Sequence, residues 1–109
     1  MTNNPAARLS IVAYRAKLGK EAELQALARE HMPFLRELGL ATDRPHILAT
    51  AADGTLVEVF EWVEGGIEKA HHHPAVGELW KRYAEVCDFV PLNSLEESAQ
   101  MFANFTPAE

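Results

Sequence analysis

The stretch "PHILATAADGTLVEVFEWV", residues 45–63, most constrains what this chain can fold into. Asp53-Gly54 is a strong two-residue turn signal, because both residue types tolerate positive φ. Apolar and β-branched residues flank it on each side. A two-residue loop would set Ala52 opposite Thr55, Ala49 opposite Glu58, Leu48 opposite Val59 and His46 opposite Glu61. Alternation would then put Leu56, Glu58, Phe60 and Trp62 on one face, and Val57, Val59 and Glu61 with His46 on the other. Both faces are largely apolar, so such a sheet needs a cover on each side. Helices can supply one cover, and a second subunit would supply the other.

The segments around the hairpin provide the helices. Arg8 to Ala16 (RLSIVAYRA) is rich in β-branched and aromatic residues and reads as a strand. From Leu18 to Leu40 the period changes. Leu24, Leu27, Ala28, His31, Leu35 and Leu38 recur at helical spacing, with Gly39 as a stop. Pro33 falls inside this helix, removes one backbone donor and is expected to bend it near His31. "GGIEKAHHH" and "PAVGELWKRYAEVCDFV" read as a short helix running into a longer one, with Pro74 in the first turn. Val76, Leu79, Trp80, Tyr83 and Cys87 form the apolar stripe of the second. "VPLNSL" is a candidate last strand, and Ser94 with Glu97 a candidate capping box for a short terminal helix. The order β-α-β-β-α-β predicts an α+β fold of the ferredoxin-like kind, an antiparallel sheet with both helices on one face. Residues 1–7 read as a loose tail, and residues 8–109 as one domain. Met101, Phe102 and Phe105 are too apolar for a free end, so the C-terminal segment is expected to pack, and to join a homodimer contact.

Size and charge exclude several functions. With 109 residues, 48% of them hydrophobic, the chain can build one core but not two. Its net charge is −6, and its 10 basic residues form no block. This argues against nucleic acid or an acidic membrane surface as partner. The single cysteine, Cys87, excludes an internal disulfide and has no structural-zinc spacing around it. Its place on an apolar stripe suggests packing rather than a nucleophile. No signal-peptide core and no membrane-length apolar run occurs, so a soluble cytoplasmic protein is expected.

The segment "VEVFEWVEGGIEKAHHHPAVGELW" resembles the central motif of antibiotic-biosynthesis-monooxygenase-like domains. In that family a third strand ends in a Glu-aromatic pair, matched here by Glu61-Trp62. A helix follows with a histidine, matched by His71, shortly before a Ser-Pro or His-Pro step, matched by His73-Pro74. With the element order, the resemblance covers about residues 8–95. It implies a dimeric α+β barrel, and cofactor-independent oxidation of phenolic or quinol-like polyketides as one family activity. A haem-degrading branch of the family carries a tryptophan at the position of His71 and a haem-ligating histidine at that of Lys81. This chain departs from that branch at both positions, and no cofactor is expected.

The candidate site residues follow from direction. On a helix, neighbouring side chains point about 100° apart, so His71, His72 and His73 cannot converge on one metal ion. A metal would need a further donor such as His31, His46 or Glu61, and no metal site is expected. Ile67, Ala70, His71 and Pro74 share a face, so His71 is expected to point inward and His72 and His73 outward. His31 lies on the inner stripe of the first helix. Glu58 is the odd residue of its sheet face; the simplest expectation is an arginine partner across a dimer or near a strand edge, and more generally a basic or histidine partner is expected for Glu58 or Glu61. Glu61 opposite His46 suggests a cross-strand ion pair. One reading is thus a small monooxygenase for an aromatic substrate, with His71 or His31 taking a phenolic proton. Trp62, Trp80 and Tyr83 would hold the ring, with Glu58 and Phe60 on the same lining. The other reading is a non-catalytic binding or structural dimer whose layer is filled by side chains.

Overall fold

Strand β1 (Arg8–Ala16) and strand β3 (Leu56–Trp62) form the centre of the protein, paired antiparallel from Arg8 opposite Trp62 to Tyr14 opposite Leu56. This arrangement comes from a computed structural model, which describes residues 6–108. Most of the expected N-terminal tail, residues 1–5, lies outside the described residues, as does Glu109. The other elements are α1 (Glu21–Glu37), β2 (Ile47–Thr50), α2 (Gly66–His71), α3 (Pro74–Val86), β4 (Cys87–Val90) and β5 (Thr106–Pro107). Together they make a small α+β domain with one antiparallel sheet, in the order β4-β1-β3-β2-β5. No helix among the described residues is long and apolar enough to cross a membrane.

The register sorts side chains onto two faces. Val12, Tyr14, Leu56, Glu58, Phe60 and Trp62 face the helices. Leu24, Leu27 and Ala28 of α1 pack there with Leu79, Tyr83 and Val86 of α3, around Tyr14, Leu48 and Leu56. Met32, Leu35, Ala70 and Val76 pack around Phe60 and Trp62. On the opposite face Leu95 and Phe105 cover Ala13, Ala51 and Val57. Leu9, Ile11 and Ile47 on that face stay 59%, 49% and 58% exposed.

The hairpin differs from the sequence expectation by one residue. Ala49 faces Val57 and Leu48 faces Glu58, not Glu58 and Val59. The loop has three residues, closed by Ala51 N–H to Thr55 O and Gly54 N–H to Ala51 O, both at 2.9 Å. Gly54 takes φ +90°, while no residue other than glycine has positive φ among the described residues. Asp53 therefore cannot form the two-residue turn, which needs positive φ at both positions. Its Oδ1 accepts instead from the Thr55 N–H at 2.9 Å. The slip turns Leu48 into the helix-covered core.

Three further expectations change. The last main strand is not "VPLNSL" but β4, which leaves α3 directly: Cys87 has extended φ −152°, ψ 170°, and is the first strand residue rather than the end of a helical stripe. Pairing with β1 decides this, with Ala16 opposite Cys87 and Tyr14 opposite Phe89. Leu92–Ser94 is a 3-10 turn. The Ser94–Glu97 capping box does not form, because Ser94 Oγ donates to Pro91 O at 2.7 Å and Glu97 Oε2 accepts from the Ala52 N–H at 2.7 Å. The C-terminal segment then lays β5 on the edge of β2, with Pro107 where an edge tolerates a missing donor. Met101 and Phe102 on this segment remain exposed.

Candidate functional site

Glu58 sits in the central strand β3, flanked by β1 and β2, so no edge or solvent reaches it; it is 0% exposed. An ionisable group there must find partners, because an unpaired buried charge is too costly to persist. Two arrive from other elements. His31, placed inward by the stripe of α1, brings Nδ1 to 2.9 Å from Glu58 Oε1. Tyr14 of β1 donates its hydroxyl to the same oxygen at 2.7 Å. Among the described residues no arginine contacts Glu58; the basic partner expected for it is a histidine, His31.

Three polar atoms of this cluster are buried without a hydrogen-bond partner among the described residues: His31 Nε2, Glu58 Oε2 and the Tyr83 hydroxyl. Buried polar atoms are rarely left so, and each costs roughly 1–3 kcal/mol. The Tyr14 and Tyr83 rings stack with centroids 4.9 Å apart. His31 meets Phe60 and Tyr83 edge-on, at 5.3 and 5.6 Å. Burial, and then the nearby Glu58 carboxylate, push the ionisation of both tyrosine hydroxyls far above its ordinary range.

Beside the cluster lies a cavity of about 230 Å³. Tyr14, His31, Phe60, Trp62 and Tyr83 form its inner wall with Val12, and His71, Trp80 and Phe89 complete the lining. Glu58 stands behind that wall. No lysine or arginine among the described residues lines it. A cavity of about 150 Å³ can hold benzene, and pockets for drug-sized ligands start near 300 Å³. This one suits a molecule of one or two rings. A larger groove, about 620 Å³, lies on the opposite sheet face between Ile11, Ile47, Val59 and the C-terminal Phe105, but no titratable side chain lines it. The buried His31–Glu58–Tyr14 cluster adjoins the smaller cavity.

His71 is not inward as expected. Ala70 is the buried residue of this turn of α2, and His71 is exposed at the outer side of the cavity, its ring edge-on to Trp80 at 5.1 Å. His72 is exposed, whereas His73 is half-buried and caps α3, its Nδ1 accepting the Ala75 N–H at 3.2 Å. Glu61 does not pair with His46. Its carboxylate accepts from Thr42 Oγ1 at 2.9 Å and meets Arg44 Nε at 3.2 Å, and these two contacts hold it below the usual carboxylate range. The Cys87 thiol is buried, and burial followed by Asp88 pushes it up to about 11, so it is a poor nucleophile at neutral pH. Among the described residues, no three His, Cys, Asp or Glu side chains are grouped to hold a metal ion.

Sequence reasoning singled out His71, His31, Glu58, Phe60, Trp62, Trp80 and Tyr83, and all but Glu58 line this one cavity. It missed Tyr14, Val12 and Phe89. Alternation in β1 and β4 places them, but only once the helix-covered face is known. Compared with known proteins, the chain matches no family model, no curated protein and no solved structure.

Proposed function

We propose that this chain is a cofactor-independent monooxygenase-like protein that takes a small hydroxyarene into the helix–sheet cavity, with His31 as the proton acceptor. One observation carries the reading: a buried imidazole whose Nδ1 is tied to Glu58 and whose Nε2 is left unpaired in a cavity wall. A histidine that donates through Nδ1 keeps a lone pair on Nε2, so Glu58 and Tyr14 hold it in the tautomer a base requires. Taking the phenolic proton onto Nε2 leaves the phenolate paired with the imidazolium and makes the ring electron-rich enough to reduce O2. One oxygen atom enters the ring as a quinone carbonyl, and the other leaves as water with two hydrogens taken from the substrate and the base. The substrate supplies all four electrons that O2 takes up, two as it gains the oxygen atom and two as it becomes the quinone, so no cofactor is needed. His71 stands at the outer side and contacts the outer end of the ligand rather than serving as the base. The size of the cavity favours one or two rings over a larger polyketide.

The strand order and the helix-covered face are compatible with a ferredoxin-like domain of the antibiotic-biosynthesis-monooxygenase kind, acting in the cytoplasm as a dimeric α+β barrel. Exposed Leu9, Ile11 and Ile47 support a homodimer across the open face. Light scattering at micromolar concentration is expected to give twice the chain mass, and a monomer would refute the dimer.

The catalytic test uses 1-naphthol and an oxygen electrode. O2 uptake is expected with the wild-type protein, and His31→Ala should lower the rate by about 10²–10⁴-fold. His72→Ala, at an exposed position outside the cavity, should leave it unchanged. Saturable binding of 1-naphthol without O2 uptake would favour a non-catalytic binding module.

A further inference from the structure

We infer that the cavity selects a neutral hydroxyl on its ligand and rejects a carboxylate on the same ring, and that Glu58 sets this selectivity. The inference rests on the cavity being a ligand site and adds which functional group that ligand must present.

Two independent features carry it. The first is charge. Glu58 is 0% exposed and lies directly behind Tyr14 and His31, two residues of the inner wall. Val12, Phe60 and Trp62 complete that wall, and no lysine or arginine among the described residues offsets the carboxylate there. A ligand anion in this cavity would lose its water and meet a like charge across one layer of side chains, where screening is weak. The same field already opposes negative charge on Tyr14 and Tyr83.

The second feature is hydrogen-bond polarity. Glu58 Oε1 takes both the Tyr14 hydroxyl and His31 Nδ1. In the neutral imidazole with Nδ1 donating, Nε2 accepts. The unpaired Tyr83 hydroxyl can donate or accept. Both atoms are buried within the wall, so a ligand reaches them only as the His31 and Tyr83 rings shift; a ligand hydroxyl can then donate to Nε2 and still accept. A carboxylate offers acceptors alone and would face the Nε2 lone pair unless a proton were placed on the imidazole. A ligand ammonium gains little, because Glu58 does not reach the cavity surface and its Oε1 is already shared by two donors.

The experiment titrates the full-length protein at neutral pH with 1-naphthol and with 1-naphthoate, followed by calorimetry. Binding of 1-naphthol tests the site, and the ratio of the two affinities tests the inference. The expected result is 1-naphthoate weaker by at least on the order of tenfold, the effect of one buried polar group left unpaired. In Glu58→Gln, which removes the charge and keeps an acceptor, the gap should narrow because 1-naphthoate binds more tightly. Equal or tighter binding of 1-naphthoate to the wild type overturns the inference and leaves the ligand site standing. An unchanged gap in folded Glu58→Gln overturns the role of Glu58. If neither compound binds, the ligand site and the inference fall together. Should the variant not fold, the wild-type ratio alone decides.

Discussion

Glu58→Ala should cost about 3–5 kcal/mol of folding stability, the loss typical when one partner of a buried pair is removed. The substitution strips the acceptor from two buried donors at once, the Tyr14 hydroxyl and His31 Nδ1. It also opens a void in the centre of the sheet, beneath α1. Small domains have only about 5–15 kcal/mol of stability in total, so the variant should sit near the edge of folding. Glu58→Gln should lose less, about 1–2 kcal/mol, because its amide oxygen can still accept from Tyr14. Its NH2 would take the place of Oε2, which has no partner now. Denaturant titration of the two variants against the wild type gives the order. A loss under about 1 kcal/mol for Glu58→Ala would mean that the cluster does not hold the sheet and helix together.

How much of this was legible in the sequence depends on how far apart the deciding residues lie. Helix α1, strand β1 and the break before Pro74 follow from local period and local sterics, and they appear where the pattern puts them. Glu58 stood out because it interrupts an apolar face. Its partners could not be read, since they lie 27 and 44 residues away and reach it only through the packing of α1 and the pairing of β1. The hairpin was legible, but its register was not: Asp-Gly suits loops of two or three residues, and the Asp53 contact with Thr55 selects the longer one. Strand β4 was hidden because Cys87 follows Tyr83 at helical spacing, and only pairing with β1 makes it extended. His71 shows the limit of periodicity on a short helix. In α2, six residues long, one position separates the buried Ala70 from an exposed neighbour, and the pattern alone did not resolve it.

The protein should also lose stability steeply above about pH 10, the ordinary tyrosine value. The chain has two tyrosines, and both belong to the cluster around Glu58. Burial is the first cause of each upward shift, and the charge of Glu58 is the second. In the unfolded chain both hydroxyls ionise near pH 10, whereas in the folded protein both keep their protons well beyond it. The folded state thus binds more protons than the unfolded state above that pH, and stability falls as pH rises. Below pH 10 both states hold these protons, and the contribution of the pair is fully present. Above it, the two tyrosines remove together about 3 kcal/mol per pH unit, and the buried Cys87 thiol, pushed up to about 11, adds to the loss between its ordinary value and there. Tyrosinate absorbance should therefore stay silent as the pH is raised and then appear in one cooperative step together with loss of helical circular dichroism. Tyr83→Phe should halve the tyrosine part of the slope, because one tyrosine then remains, and it removes a hydroxyl that has no hydrogen-bond partner among the described residues. Gradual tyrosinate absorbance near pH 10 in a protein that is still folded would mean that water reaches these hydroxyls, and the enclosed His31–Glu58–Tyr14 cluster would then not describe the protein in solution.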